Sequence, residues 1–222
     1  LHLPPQSISY IEKSNNIRIN DPIIFDVNNP KVLIAGCGTG QHSIEAAAKF
    51  KDCDVLAIDL SLNSLAYAKR KTEEFGIKNI KYMQADILDI AKVNETFDII
   101  ESIGVLHHMD NPFAGWKALV GCLKRGGLMM VGLYSDLARQ HIVKIHNEIE
   151  QEEYILNDRF IRSVRTNIIK SEMEHHERVR SSPDFYNISS IRDLLFPEKE
   201  HRFTIPIIKQ YLNKLGLTFC GF

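Results

Sequence analysis

The chain has 222 residues, of which 44% are hydrophobic and 25% are charged, and its formal net charge is −1. This length can bury one large domain, or one domain with an insertion, and the charge gives no broad positive field for nucleic acid. No apolar run approaches the ~18 residues of a membrane span. The four cysteines form neither a metal-binding nor a disulfide spacing. We therefore expect a cytoplasmic protein with reduced thiols and no metal ion, which binds neither nucleic acid nor membrane.

An irregular start is followed by a regular alternation of strands and helices. Residues 1–30 are rich in proline and asparagine and predict an irregular arm with one short helix near Ile8–Lys13. The strands predicted after this arm are Val32–Ala35, Val55–Asp59, Ile80–Gln84, Phe97–Ser102 and 128–134. The helices predicted between them are His42–Phe50, Leu62–Phe75, Leu88–Val93 and one that runs from Asn111 to the Gly126-Gly127 pair. This order predicts an α/β fold, a doubly wound Rossmann-like and mostly parallel sheet with right-handed crossovers.

The alternation stops after Tyr134. Spacing of apolar residues predicts one long amphipathic helix over Ser135–Tyr154, no assigned element over 155–200, a helix over Ile205–Leu215 and a sixth strand in the closing LTFCGF. We expect four parts: an arm (1–30), a core (31–134), a helical insertion (135–203) and a return to the core (204–222). Because long insertions in compact domains are often functional, we expect the insertion to be a substrate lid.

The stretch KVLIAGCGTGQH places a glycine at every second position directly after the first strand. Such a loop brings its backbone close to a ligand, and we consider three ligand classes. A nucleoside triphosphate loop requires a lysine after the glycines, and none follows here. A dinucleotide fingerprint requires a small third residue, whereas Gln41 or Ser43 stands at that position. The remaining class is a small ligand arm without a phosphate.

Two acids follow the second and third predicted strands. Asp59 lies 19 residues after Gly40, where a carboxylate can accept hydrogen bonds from both hydroxyls of a ribose. Asp86 follows the third strand, where it can accept from the exocyclic amine of an adenine while Ile87 packs on the ring. The second acid favours a methyl-donor site over a dinucleotide site.

These motifs together resemble those of the class I S-adenosylmethionine-dependent methyltransferases. VLIAGCGTG is similar to their glycine motif, VLAIDLS to their ribose motif and QADILD to their adenine motif. FDIIESIGVLHHMDNP and LKRGGLMMVGLY are similar to the motifs of their fourth and fifth strands. A closer resemblance, carried by AGCGTGQHSIE and GVLHHMDNPFAGWKAL, is to bacterial proteins in which a methyltransferase domain follows tetratricopeptide repeats.

The resemblance implies a cofactor, a product and a set of contacts. S-adenosylmethionine would donate a methyl group to a small-molecule or protein acceptor and leave S-adenosylhomocysteine. Tetratricopeptide repeats would precede Leu1 in the same polypeptide, and the final antiparallel strand would lie beyond Phe222. The cofactor-binding residues that it implies are Gly36, Cys37, Gly38, Thr39, Gly40, Asp59, Leu60, Asp86, Ile87, Glu101 and Ser102.

One residue departs from the family pattern. The family usually carries an acid two residues before the first glycine of the loop, where it helps to orient the methionine part of the cofactor, and Ile34 stands there. Glu101, near the end of the fourth strand, is our candidate for the negative potential near the cofactor's ammonium.

Candidate catalytic and substrate residues follow the fourth and fifth strands. His107 and His108 lie just after the fourth strand, where an imidazole could remove a proton from a hydroxyl or amine. The candidate substrate residues are Tyr134, Arg139, His141 and Arg202. The His175-His176 pair lies in a charge-rich run and is expected to be solvated.

Two other functions are weighed against an active methyltransferase. A module that binds the cofactor or a partner without turnover is the alternative, and Ile34 favours it. An NAD-dependent oxidoreductase is disfavoured by Gln41 and by Asp86.

Overall fold

A computed structural model of the chain describes residues 27–149 and 155–221. The helix predicted near Ile8–Lys13 lies outside the described residues. The described chain divides into two compact units, one formed by 27–133 with 206–221 and the other by 134–205.

The α-helices of the described residues are named in chain order. They are α1 (Gln41–Lys49), α2 (Leu62–Glu74), α3 (Pro112–Gly121), α4 (Gln140–Ile149), α5 (Asp158–Lys170), α6 (Glu174–Arg180), α7 (Ile188–Leu195) and α8 (Ile205–Leu215). Three short 3-10 helices cover Ile87–Val93, Leu106–His108 and Pro183–Tyr186. Among the described residues, no helix is both long enough and apolar enough to cross a membrane.

The first unit is built on one sheet of five parallel strands. The strands are β1 (Lys31–Ala35), β2 (Asp54–Asp59), β3 (Ile80–Gln84), β4 (Phe97–Ile103) and β5 (Leu123–Gly132), in the spatial order β3-β2-β1-β4-β5. All four pairings are parallel. This topology confirms the predicted doubly wound, Rossmann-like fold.

Side chains alternate between the two faces of β1, and each face has its own core. Val32 and Ile34 pack with residues of α1 and α2 on one face, whereas Leu33 and Ala35 pack with α3 on the other. All four side chains are at most 1% exposed, because helices cover both faces of the strand. The buried faces fix the register of β1 and hence the position of the loop that follows it.

The predicted starts of two helices agree with their N-terminal caps. The Ser61 hydroxyl accepts from the Ser64 backbone N–H at the start of α2, and the Asn111 amide oxygen accepts from Ala114 N at the start of α3. Such caps satisfy backbone donors that have no partner inside the helix.

The second unit contains α4 to α7 around a small apolar core. Its largest buried side chains include Ile142, Ile145, Ile161 and Phe185. The ends of the unit meet where Ser135 and Phe203 form a parallel bridge, with Asp136 N donating to Phe203 O at 2.9 Å.

Three predicted boundaries are wrong. The long helix over Ser135–Tyr154 begins only at Gln140, because Ser135 pairs with Phe203 in an isolated bridge and residues 136–139 form a turn; residues 150–154 lie outside the described residues. The closing LTFCGF is not a strand over the described residues 217–221. A strand requires a hydrogen-bonded neighbour, and that stretch has none in the five-stranded sheet.

The third error concerns the Gly126-Gly127 pair, which lies inside β5 and does not end α3. The pairing of β5 with β4 shifts register there, between Phe97 and Ile99. A Cβ on Gly127 would lie 2.8 Å from the Asp98 carbonyl oxygen, so glycine permits this irregularity of the strand.

Candidate functional site

The candidate site lies at the carboxyl ends of the strands of the first unit. Strand order reverses around β1 and β4: the chain proceeds from β1 outward to β3 and then returns to β4 on the other side. In open parallel sheets ligands bind in the crevice outside such a reversal, next to the loops that leave the strand ends. The predicted cofactor residues lie at this edge: they follow β1 and β3, end or follow β2, and lie in the last part of β4.

The glycine loop is shaped by close packing on one side and open space on the other. A Cβ on Gly36 would lie 2.3 Å from Cγ2 of Val105, so no side chain fits between the loops after β1 and β4. At Gly38 an added Cβ would meet no atom of the described residues within 4 Å. The loop backbone at Gly38 is therefore open to a ligand.

Asp59 joins this loop to the end of β2. Its Oδ2 accepts from the Gly38 backbone N–H at 2.8 Å, and its Oδ1 accepts from Ser61 N at 2.8 Å. Each carboxylate oxygen can accept a second hydrogen bond, so the carboxylate remains able to accept from a diol. The two backbone bonds fix its orientation.

The end of β3 presents an acid beside apolar surface. Asp86 Oδ1 accepts from Leu88 N at 2.8 Å, which leaves Oδ2 to accept from an amine. Ile87 is 7% exposed and packs into the core below, whereas the side chains of Leu60 and Leu88 are 65% and 54% exposed. Leu88, which the sequence analysis did not single out, is thus better exposed than Ile87 for contact with a flat ring.

Glu101 lies directly opposite Ile34 across the β1–β4 pair. The two residues are register partners in a parallel ladder, so their side chains lie on the same face of the sheet, about one strand spacing of 4.8 Å apart. Glu101 is only 3% exposed, and Ile34 is 1% exposed. A buried carboxylate thus stands one strand away from the position where the family usually carries its acid.

His42 is the partner of this buried carboxylate. It is the second residue of α1, directly after the glycine loop, and its Nε2 lies 2.6 Å from Glu101 Oε2. The contact with the Glu101 carboxylate raises the pKa of His42 above its usual value, although burial opposes the shift. The sequence analysis missed His42, since no spacing relates a helix residue to an acid 59 positions later.

The other predicted cofactor residues differ in exposure. Thr39 is exposed at the tip of the loop, whereas Gly40 and Cys37 are buried. Burial raises the pKa of the Cys37 thiol to about 11, and the nearby Asp59 charge adds to the shift. The Ser102 hydroxyl, next to Glu101, is buried and has no hydrogen-bond partner among the residues that the structure describes.

The two candidate catalytic histidines lie in the 3-10 helix after β4. His107 is 1% exposed, whereas His108 is partly exposed, and their ring centroids are 4.4 Å apart. His108 is therefore the more accessible of the two to a substrate. A role in proton transfer is still a prediction for both.

The four candidate substrate residues belong to the second unit. Both Arg139 and Arg202 contact the Glu200 carboxylate, and Arg202 Nε also lies 3.4 Å from Asp136 Oδ1. The Arg139 guanidinium stacks 3.9 Å from the centroid of the Tyr134 ring and donates to the Leu194 carbonyl at 3.1 Å. These contacts compensate both guanidinium charges inside the unit.

Tyr134 and His141 are both partly buried in that unit. Burial raises the pKa of the Tyr134 phenol and lowers the pKa of His141. The nearby Arg178 charge adds to the lowering at His141. Binding of a substrate by any of the four residues stays a prediction.

The residues at the strand ends fit the cofactor inferred from the sequence. The backbone of Gly38 is open to a ligand, and Asp59 and Asp86 can each accept further hydrogen bonds. The buried Ser102 hydroxyl lacks a partner among the described residues. Glu101 supplies a buried negative charge on the same edge. This donor and acceptor set suits a nucleoside with a cationic, non-phosphorylated arm.

A family match and a structural match to known proteins agree with the observed fold. Residues 32–127 match the family described as "Methyltransferase domain". PKMT2 from Rickettsia typhi, solved in complex with AdoHcy, superposes with a TM-score of 0.66 at 16% identity, over 83% of this chain and 38% of that chain. The family match thus identifies a methyltransferase domain over residues 32–127, and the structural match agrees with the fold that the sheet topology shows.

Two curated relatives are similar over different lengths. An uncharacterized protein of Synechococcus sp. is 27% identical over 204 residues, which cover 88% of this chain and 49% of that protein. The (S)-coclaurine N-methyltransferase of Papaver somniferum is 32% identical over 126 residues, which cover 57% of this chain and 35% of that enzyme. The chain thus spans half or less of the length of these relatives.

Proposed function

We propose that this chain binds S-adenosylmethionine at the carboxyl edge of its sheet and transfers the methyl group to a small-molecule or protein acceptor. The observation that carries the proposal is Asp59, held at the end of β2 by the backbone of the glycine loop. The match of residues 32–127 to the methyltransferase family supports the same ligand.

Each contact in the proposed complex has a chemical reason. Asp59 accepts hydrogen bonds from the two ribose hydroxyls, and Asp86 Oδ2 accepts from the adenine amine. The exposed side chains of Leu60 and Leu88 flank these acids and offer apolar surface to the base. Glu101 attracts the ammonium of the methionine arm in place of the acid that Ile34 replaces.

The proposed chemistry asks little of the protein beyond positioning. When bound, the cofactor supplies a methyl group on a sulfonium, an activated group that departs from a neutral thioether. The residues around it hold the reacting atoms in line and exclude water, which lowers the entropic part of the barrier. A general base is needed only where the acceptor must lose a proton, and the partly exposed His108 is the candidate for that step.

Acceptor selection is proposed to lie with the second unit. Residues 134–205 interrupt the first unit between β5 and α8, and long insertions of this kind often carry specificity. We propose further that the polypeptide is bacterial and carries tetratricopeptide repeats before the methyltransferase domain, as the resemblance of the core motifs implies.

The Asp59 contact is tested with a pair of substitutions. Asp59→Ala removes both the ribose acceptors and the two backbone bonds, whereas Asp59→Asn keeps one acceptor oxygen and the size of the side chain. We expect calorimetry with S-adenosylhomocysteine to show no binding by the alanine variant and weakened binding by the asparagine variant. Equal affinity of both variants and the unchanged protein would contradict the proposal.

The alternative, a binding module without turnover, is favoured by the missing acid at Ile34. The two functions differ in one measurement. Incubation with radiolabelled S-adenosylmethionine and a cell extract yields a labelled acceptor if the chain is an enzyme. Cofactor binding with no labelled product above that of the Asp59→Ala variant would favour the binding module.

A further inference from the structure

Three side chains of the second unit that the candidate sites above do not use converge on one point. Glu148 lies near the end of α4, and His175 and His176 lie in the first turn of α6. His175 Nε2 is 2.5 Å from Glu148 Oε1, and His176 Nε2 is 2.8 Å from Glu148 Oε2. One ligand atom from each residue lies within 4.8 Å of the other two.

We propose that Glu148, His175 and His176 form a binding site for a transition-metal ion of the zinc class. Two imidazole nitrogens and one carboxylate oxygen are a donor set that zinc accepts in proteins, with water as a fourth ligand. None of these three residues is assigned to methyl transfer, and the metal is proposed to join α4 to α6.

The distances are compatible with this role after small side-chain movements. Zinc bonds of about 2.0–2.2 Å in tetrahedral geometry separate neighbouring ligand atoms by roughly 3.3 Å. The two contacts of Glu148 would therefore lengthen by less than 1 Å. The two histidine nitrogens lie within 4.8 Å of each other, and a separation of roughly 3.3 Å falls inside that range. Rotation about side-chain bonds provides such shifts without moving either helix.

The two histidines of the site are largely buried, whereas Glu148 is exposed to solvent. The His176 side chain is 9% exposed, so packing restrains its ring, and the His175 side chain is 15% exposed. The Glu148 side chain is 41% exposed, which leaves room for a water ligand. The sequence analysis expected both histidines to be solvated, and the structure shows instead that the side chain of His176 is buried.

A metal ion that links two helices would add stability to a unit of this small size. The unit covers residues 134–205, and its core contains eight buried apolar residues in the part of it that the structure describes. Small units with small cores gain stability from a metal that binds the folded form alone. The charged groups near the site include Arg178, which lies on α6 with His175 and whose charge helps to lower the pKa of His141.

The competing interpretation is an ion pair without metal. Glu148 would then hold two imidazoles by hydrogen bonds, and added metal would change nothing. Zinc titration of the chelator-treated full chain decides between the two. The proposal expects one zinc ion per chain and a rise in the thermal unfolding midpoint with zinc or nickel, but not with magnesium.

Variants locate the bound ion. His176→Gln and Glu148→Gln are expected to weaken zinc binding by at least about tenfold, since even loss of an outer-sphere partner costs 10–100-fold in affinity. The matched control is His201→Gln, an exposed histidine of the same unit, which should bind zinc like the unchanged chain. Because Glu148→Gln could also weaken the fold, the metal-dependent rise in midpoint is compared within each variant.

Two results would overturn the proposal. One is a failure of the unchanged chain to take up zinc in stoichiometric amount. The other is zinc binding that survives unaltered in both His176→Gln and Glu148→Gln, which would place the ion elsewhere. Neither result bears on the cofactor site of the first unit.

Discussion

Replacement of Glu101 by glutamine tests how the chain holds the amino-acid arm of its cofactor. The side chain is 3% exposed and lies across the β1–β4 ladder from Ile34, so it is the buried charge closest to the usual acid position. Glu101→Gln keeps the size and a hydrogen-bond acceptor and removes only the charge. We expect weaker binding of ligands that carry an ammonium.

The magnitude follows from the strength of a charged hydrogen bond. Such a bond contributes about 1.5–3 kcal/mol, and each 1.4 kcal/mol is tenfold in affinity, which gives a loss of roughly tenfold to 150-fold. In the structure His42 Nε2 already lies 2.6 Å from Glu101, so the ammonium exchanges one cationic partner for another. This exchange places the expected loss near the lower end, about tenfold at neutral pH.

The assay compares two ligands on the same protein. S-adenosylhomocysteine carries the amino-acid arm, whereas 5′-methylthioadenosine keeps the adenine and the ribose but lacks the ammonium. Glu101→Gln should weaken the first ligand and leave the second unchanged, which also shows that the variant is folded. Equal affinity for S-adenosylhomocysteine before and after substitution would refute the role of Glu101.

Two further predictions concern His42 and Gly36. Because Glu101 raises the pKa of His42, the charged pair stabilises the folded state below the ordinary histidine pKa, and this stabilisation is lost as pH rises through the raised value. Cofactor affinity should therefore increase over the same rise in pH, because neutral His42 releases Glu101 to bind the cofactor's ammonium. In calorimetry His42→Gln should remove this pH dependence. A pH profile unaltered by His42→Gln would contradict a competition between His42 and the ammonium for Glu101. Gly36→Ala should lower the free energy of unfolding by about 2–5 kcal/mol in urea titrations, since its Cβ would lie 2.3 Å from Val105 at a φ of +79°. The control Gly216→Ala, with a φ of +68° and open space, should cost only about 1–2 kcal/mol, and equal losses in the two variants would refute the packing argument.

The sheet of the first unit was predictable because its signals are local. Short apolar runs ending in glycine or aspartate mark the buried parallel strands, and the caps at Ser61 and Asn111 mark two helix starts. The prediction failed where pairing between distant residues decides the structure. Ser135 is held by Phe203, 68 residues later, and this contact delays the start of α4 although the apolar spacing continues through it.

In the candidate site, too, sequence patterns predicted the local features and missed the contacts between distant residues. Glycine spacing and strand-end acids locate Asp59 and Asp86, because the carboxyl ends of parallel strands meet at one edge of the sheet. The contact of His42 with Glu101 depends on how α1 packs on the sheet, which no local pattern encodes. Ile87 and Leu88 are adjacent, and only the 3-10 turn that follows Asp86 decides which of the two is buried.

The central claim, that the glycine loop and the strand-end acids form an S-adenosylmethionine site, is tested most directly by calorimetry on the unchanged chain. Separate titrations with S-adenosylmethionine, S-adenosylhomocysteine and NAD compare the ligand classes that such loops serve. Our account predicts saturable binding of the first two, at one ligand per chain, and no binding of NAD. Micromolar binding of NAD without binding of either sulfur ligand would contradict it.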